Sequence, residues 1–300
     1  MKSHALLGSI AIVLLGVMPS LPAEPPADVG QRKSPDKALR WVACRHAAQP
    51  RVGMHSEHAH PTLRVVRACH PNAEPPADVG QRKSPDKVMR VPRTEDFAVN
   101  GRGDSPAWQK ARWEPLHRRS AEGHPYQTRV KVLYSTTGLY VLMDATDSKI
   151  TATMKEDFLD LWTEDVFEFF LWTDERHPLY FEYEISPLGL ELPILIPNID
   201  GKLLGWRPWH YEGPRKTRKA TTVVGGPKQS GAKVSGWKAE VFVPYELLKP
   251  LGSVPPKPGS RWRANFYRVD HDGGRAASWD RARVGADFHE FHKFGTLVFE

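Results

Sequence analysis

The stretch LWTEDVFEFFL places an indole at Trp162 and carboxylates at Asp165 and Glu168, each three residues after the last. An indole offers a flat stacking face, and a carboxylate accepts hydrogen bonds or pairs with a cation. The alternation of Val166, Glu168 and Phe170 against Phe167 and Phe169 sets Glu168 on the opposite strand face from two phenylalanines, with Asp165 opening the strand. A carboxylate in so aromatic a strand either serves a site or meets a buried cation such as Arg, and the residues alone leave both readings open.

Other groups carry less. Acidic residues are plentiful, but a glycosidase pair is defined by its separation in space, which their number does not give. The chain has no G-x-S-x-G, no H-E-x-x-H and no Gly-rich phosphate loop, so no catalytic centre is expected. DFHEFH carries His289 and His292 at i, i+3, a spacing open to a metal or haem but more ordinary as hydrogen-bonding residues in a polar loop. HSEHAH, at 55–60, could hold a transition metal loosely, without the C-x-x-C spacing that fixes geometry. GRGDSP, at 101–106, is the peptide that adhesion receptors read, and it stands either as that or as an ordinary turn before Trp108.

The elements that must position these groups are strands. TRVKVLYS (128–135), LYVLMDATD (139–147), DVFEFFLW (165–172), LYFEYEIS (179–186), ATTVVG (220–225), WKAEVFVP (237–244), RWRANFYRVD (261–270) and GTLVFE (295–300) read as short strands between Gly and Pro turns. Helical periodicity is limited to Met154 to Leu161 and Tyr245 to Leu248. The expected fold is all-β, an immunoglobulin- or jelly-roll-like antiparallel sandwich, preceded by a disordered N-terminal leader. Trp108, Trp237 and Trp262 begin or flank strands and are expected in the core. WRPWHYEG, at 206–213, either packs over one end of the sandwich or forms a stacking platform.

The leader has its own order. Residues 1–23 run from Lys and His through ALLGSIAIVLLGVM to SLPA, the pattern of a secretory signal, with an apolar run too short to span a bilayer. The expectation is a protein outside the cytoplasm, secreted or periplasmic, with no transmembrane span after cleavage. Residues 24–92 read as a Pro-rich linker. It holds AEPPADVGQRKSPDK twice, at 23–37 and 73–87, around a His-rich spacer with the two cysteines, Cys44 and Cys69. Of the net charge of +7, residues 1–90 hold 13 Lys and Arg against 7 Asp and Glu, leaving 29 against 28 for the rest. The folded part, 93–300, is nearly neutral, which argues against a nucleic-acid partner.

Residues 96–300 resemble the family 9 carbohydrate-binding modules and their DOMON-like relatives. The resemblance runs in order through FAVNGRGDSPAWQKA, GLYVLMDATD, LWTEDVFEFFL, YEISPLG, GWKAEVFVPYELL, WRANFYRVD and SWDRARVGADFHEFHKFGTLVF. It implies non-catalytic binding of an oligo- or polysaccharide, in association with glycoside hydrolases and polysaccharide catabolism. Trp162 and Glu168 match the family's Trp-x-x-Asp-x-x-Glu pattern as clamp wall and hydroxyl binder. Phe288 or Trp279 stands near the second wall, and Glu184 and Ser186 replace an expected Arg and Asn. Arg268 is placed to face Glu168 or Glu184. The resemblance also implies a structural calcium, with Asp144, Asp147 and Asp160 as candidate ligands. DOMON relatives that bind haem through Met and His would point instead to Met143 with His289 or His292. A sandwich without sugar binding, structural or adhesive, is the remaining alternative. In the family the turn at GRGDSP merely leads to Asp104 and Trp108.

Overall fold

The computed structural model describes residues 87–119, 125–199, 202–209, 211–272 and 276–300, all within one compact unit, Pro75–Glu300. The signal segment, the duplicated linker up to residue 86, the His-rich spacer and both cysteines lie outside the described residues. In chain order the strands are β1 (Val88–Val91), β2 (Glu114–Arg118), β3 (Thr128–Tyr134), β4 (Gly138–Thr146), β5 (Val166–Trp172), β6 (Leu179–Ile185) and β7 (Glu191–Ile199). They continue as β8 (Lys202–Leu203), β9 (Arg207–Pro208), β10 (Arg218–Val224), β11 (Gly236–Pro244), β12 (Arg261–Asp270), β13 (Ala277–Asp280) and β14 (Gly295–Phe299). One sheet runs β10-β11-β4-β3-β2, and the other has β12, β5, β6 and β7 in order. β13 and β14 lie end to end along one edge of β12, and β2 pairs with both β3 and β13, so it links the two sheets. All pairings are antiparallel except β1 with β14. β1 brings residues 88–91 into the sheet, ahead of the boundary expected at Arg93.

The expected strands form because their alternation satisfies two buried layers. Phe167, Phe169 and Leu171 of β5, Phe181, Tyr183 and Ile185 of β6 and Phe266 of β12 face Val130, Val132, Val141, Met143, Val241 and Trp237 of the other sheet. Phe167 stacks on Trp237 with ring centroids 3.6 Å apart. Trp108, Trp237 and Trp262 are all buried. The opposite face of the first sheet carries a second cluster, Trp108, Leu133, Tyr140, Leu142 and Phe242, covered by the segment from Phe97 to Trp113. The opposite face of the second sheet carries a third, with Phe170, Trp172, Tyr180, Ile194, Tyr267 and Phe294, partly covered by Met154, Phe158, Phe288 and Phe291.

Two local expectations change. Tyr245–Leu248 is the one α-helix among the described residues, after Pro244. Met154 to Leu161 is not α-helical: Phe158 takes a φ of 67°, and its N–H donates to Glu191 O at 2.9 Å instead of into a helical turn. β7 had no clear signal, since Pro193 and Pro197 interrupt it; it sits near the sheet edge, with only the short β8 and β9 beyond it.

Candidate functional site

The segment before β5 is built by carboxylates. Asp165 accepts from Thr151 N at 2.6 Å and His271 N at 2.9 Å, and burial pushes its carboxyl up to about 8. Asp157 accepts from Glu191 N at 2.9 Å and Lys219 Nζ at 2.8 Å. So pinned, the segment ends in a single 3-10 turn, Leu161–Thr163, which buries Leu161 and leaves Trp162 47% exposed. An indole left this exposed at the end of a tightly held loop is presented to solvent rather than packed.

Beneath that turn, on the outer face of the second sheet, lie Glu168 of β5 and Glu182 and Glu184 of β6. Glu168 and Glu184 are cross-strand partners, and Glu182 follows Glu184 by the period of two on the same face. Their exposures are 2, 5 and 1%. The Trp162 backbone N–H donates to Glu184, so the loop that presents the indole also contacts the acidic cluster. Ionised, Glu182 Oε2 and Glu184 Oε2 have no donor; with one proton added, the two groups hydrogen-bond to each other. Burial and mutual repulsion raise both carboxyls well above the usual range, and burial pushes Glu168 up to about 8.

The cation that faces Glu168 is Arg119, which follows β2. Arg119 Nη2 donates to Gly285 O and Ala286 O at 2.7 and 2.9 Å, Nη1 lies 3.6 Å from Asp280, and the guanidinium sits 4.5 Å from the Phe288 ring centroid. Phe288 in turn stacks on Tyr267, with centroids 4.4 Å apart. The expected aromatic at Phe288 therefore stands on the same face as Glu168, held between a ring and a cation. Tyr180 hydrogen-bonds His289 Nδ1, and burial lowers the His289 pKa, favouring a neutral ring. Arg119 also lines an open cavity of about 790 Å³, together with Tyr126, Trp279, Asp280 and Arg283.

Three expected site residues stand elsewhere. Arg268 shares the inner face of β12 with Phe266 and pairs with Asp147 at 2.9 Å and Asp270 at 2.5 Å, so it cannot meet Glu168 on the outer face. Trp279 is buried on the core side, its Nε1–H donating to Tyr126 O at 3.1 Å, and offers no free stacking face. Ser186 closes the β6–β7 turn, its Oγ accepting from Leu190 N at 3.3 Å. In WRPWHYEG, Trp209 packs on the core and donates to Leu247 O, while Trp206 is exposed.

The three candidate metal ligands do not converge. Asp144 binds Arg129 at 2.6 Å, Asp160 is exposed before the Trp162 turn, and Asp147 gathers instead with Asp270 and Asp272. The buried guanidinium of Arg268 already supplies positive charge to Asp147 and Asp270. Met143 lies in the interior core and His289 on the outer face of the second sheet, which removes the haem pair with His289. In GRGDSP, Arg102 Nε donates to Asp104 Oδ2 at 2.7 Å, so the two charges an adhesion receptor would read bind each other.

Glu182 and Arg119 were missed. YFEYEIS does carry the signal for Glu182, since Tyr180, Glu182 and Glu184 alternate against Phe181, Tyr183 and Ile185. Arg119 stands at a strand end, where no periodicity marks its direction.

Residues 99–188 match the family model described as carbohydrate family 9 binding domain-like. A curated relative, an extracellular protein of Arthroderma benhamiae, is 26% identical over 149 residues, 48% of this chain; the match spans 63% of that relative's length. A solved Bacteroides uniformis structure, provisionally classed as carbohydrate-binding, is 16% identical with a TM-score of 0.60 over 71% of this chain and 99% of its own. A family 9 carbohydrate-binding module of Caldicellulosiruptor kristjanssonii in complex with cellotriose is 13% identical, with a TM-score of 0.51 over 71% of this chain and 94% of its own. The same kind of module in complex with glucose gives 13% and 0.50, over 71% and 96%. At these identities the solved structures establish the fold alone. The family match covers β2 to β6, so that part of the chain is similar to the carbohydrate family 9 binding domain, and the sandwich around it shares its fold with the solved family 9 modules.

Proposed function

We propose that this protein binds carbohydrate without transforming it, outside the cytoplasm and in association with polysaccharide catabolism. The observation that carries the reading is an exposed indole, Trp162, on a turn whose backbone N–H reaches Glu184, one of three carboxyls on the outer face of the second sheet. A sugar offers one apolar face and a rim of hydroxyls; the indole suits the first, and polar groups beside it suit the second. Phe288, held against Tyr267 and Arg119, is the nearest aromatic to serve as a second wall. The similarity to family 9 modules supports the sugar class, and the extracellular relative supports the location. No helix of the described residues is long and apolar enough to cross a membrane.

Calorimetric titration of the full chain with cello-oligosaccharides, native and end-reduced, tests this. Saturable heat that falls at least tenfold in affinity for Trp162→Ala is expected, since stacking on Trp commonly dominates such sites. Absence of heat with every sugar, from a chain that unfolds cooperatively, would remove the reading.

A further inference from the structure

We propose that this chain carries a second binding site, a basic groove across β11, β4, β3, β2 and β13 that takes an acidic oligosaccharide through its carboxylates. The sugar-binding reading supplies the class of ligand, but the groove is a separate place, and Trp162 does not line it. Two cavities form it. The larger, about 790 Å³ and open to solvent, is lined by Arg119, Gln127, Arg129 and Arg283 among others; the smaller, about 280 Å³, by Gln127, Arg129, Asp144 and Lys238 among others. Gln127 and Arg129 belong to both, so the two adjoin. Because β11, β4, β3, β2 and β13 are successive neighbours, four strand spacings, about 19 Å, separate the ends of the groove. That is room for an oligomer rather than a single ion.

The carboxylates lining the groove are Asp280 and Asp144. Asp280 is 2% exposed and turned to its own chain: Oδ2 accepts from Val284 N at 2.7 Å and Asn265 Nδ2 at 3.3 Å, and lies 3.6 Å from Arg119. Asp144 pairs with Arg129 at 2.6 Å, which leaves Lys238, its neighbour in the ladder, without that charge. Arg283 is exposed and its partner is neutral, since Nη2 donates to His117 Nδ1 at 3.0 Å and that nitrogen accepts only while unprotonated. Even without Arg118, which lines the same wall, the four cations Arg119, Arg129, Arg283 and Lys238 meet two carboxylates. The surplus is local, because residues 91–300 as a whole hold 29 Lys and Arg against 28 Asp and Glu.

Arg283 is also held in place. Its φ of 51° is costly for a residue with a side chain, and the turn is fixed by Ala282 N donating to Asn265 Oδ1 at 2.8 Å and by Val284 N donating to Asp280. Guanidinium groups match carboxylates two bonds at a time, and Gln127, an exposed amide, adds partners for hydroxyls. A neutral glucan leaves the surplus charge unanswered. A uronic acid chain, with a carboxylate on every ring, answers it along the length of the groove. A nucleic acid strand would want stacking rings, and Trp279, the indole in the lining, is 1% exposed.

Calorimetric titration of the full chain with tetragalacturonate, its methyl ester, cellotriose and a thymidine octanucleotide tests this. Tetragalacturonate is expected to bind about tenfold or more tighter than its methyl ester, which keeps the backbone and loses the charge, and to weaken as salt is raised. Arg283→Gly removes the guanidinium at a φ that glycine adopts freely and should lower that affinity about tenfold; Lys238→Gln, at the other end, should lower it about threefold. Trp162→Ala should leave it unchanged. The cations of the linker are common to all these variants, so a loss reports on the groove. Affinity that survives either groove substitution, a loss with Trp162→Ala, or a methyl ester or octanucleotide that binds as tightly would each overturn the second site. Cellotriose bound without tetragalacturonate would overturn it and leave the sugar-binding reading standing. No binding of either would overturn both.

Discussion

The outer faces of the two sheets each bury carboxylate, and they treat it in opposite ways. On the first sheet, Glu240 is 0% exposed and fully occupied: Oε2 accepts from Asn100 N and Gly101 N, both at 2.8 Å, and Oε1 from Trp108 Nε1 at 2.7 Å. One side chain thus ties down the turn at GRGDSP and the indole that covers that face. On the second sheet, Glu168, Glu182 and Glu184 are as deeply buried, yet two of their oxygens have no donor and the adjoining indole points outward. A buried carboxylate whose lone pairs are filled by its own chain is architecture; one left open beside an exposed aromatic ring is an acceptor for something else. Burial does not separate the two roles, whereas hydrogen-bond occupancy does.

The sharpest way to break this contrast is Glu240→Ala. It strands three donors, two of them buried, and is expected to lower unfolding stability by about 3 kcal/mol or more, read as a lower denaturant midpoint at unchanged slope. A loss below about 1 kcal/mol would show that Glu240 does not hold its face.

The second sheet is expected to respond to pH instead. Glu168, Glu182 and Glu184 have folded pKa values above their unfolded ones, so the folded state holds more protons than the unfolded state between roughly pH 4.5 and 8. Stability is therefore full below the unfolded values and falls as pH rises through the folded ones, by about 1.4 kcal/mol per pH unit for each carboxyl that must stay protonated. Chemical denaturation at pH 5, 6.5 and 8 should show this decline, and Glu184→Gln should flatten it. A profile unchanged by that substitution would place the titration elsewhere.

Smaller effects complete the series. Trp162→Ala, which removes a half-exposed side chain, is expected to change stability by less than about 1 kcal/mol while removing sugar binding. Loss of stability together with binding would make the indole structural. Arg102→Ala breaks only an exposed pair with Asp104 and should leave the thermal midpoint unmoved; a measurable drop would mean that the turn depends on this pair as well as on Glu240.

Much of this contrast was legible in the sequence where one face of a strand differs from the other. The alternation in DVFEFFLW placed Glu168 opposite Phe167 and Phe169, where it lies, and the same reading of YFEYEIS would have added Glu182. β12 misled because ANFYRVD is buried on both faces and so shows no polar alternation; only its parity with Phe266 assigns Arg268 to the interior. The meeting of Asp147 with Asp270 and Asp272 and the reach of Arg119 to Glu168 depend on strands brought together over long sequence separations, which no local pattern encodes.

The claim that the outer face of the second sheet is the binding surface is tested most directly by NMR of the indole N–H resonances during titration with cellotriose, with Trp162 assigned through Trp162→Phe. The account predicts that Trp162 shifts in a saturable way while Trp108 and Trp237, sealed in the two clusters away from that face, stay still. A saturable shift of Trp206 with Trp162 silent would place the ligand elsewhere and contradict the account.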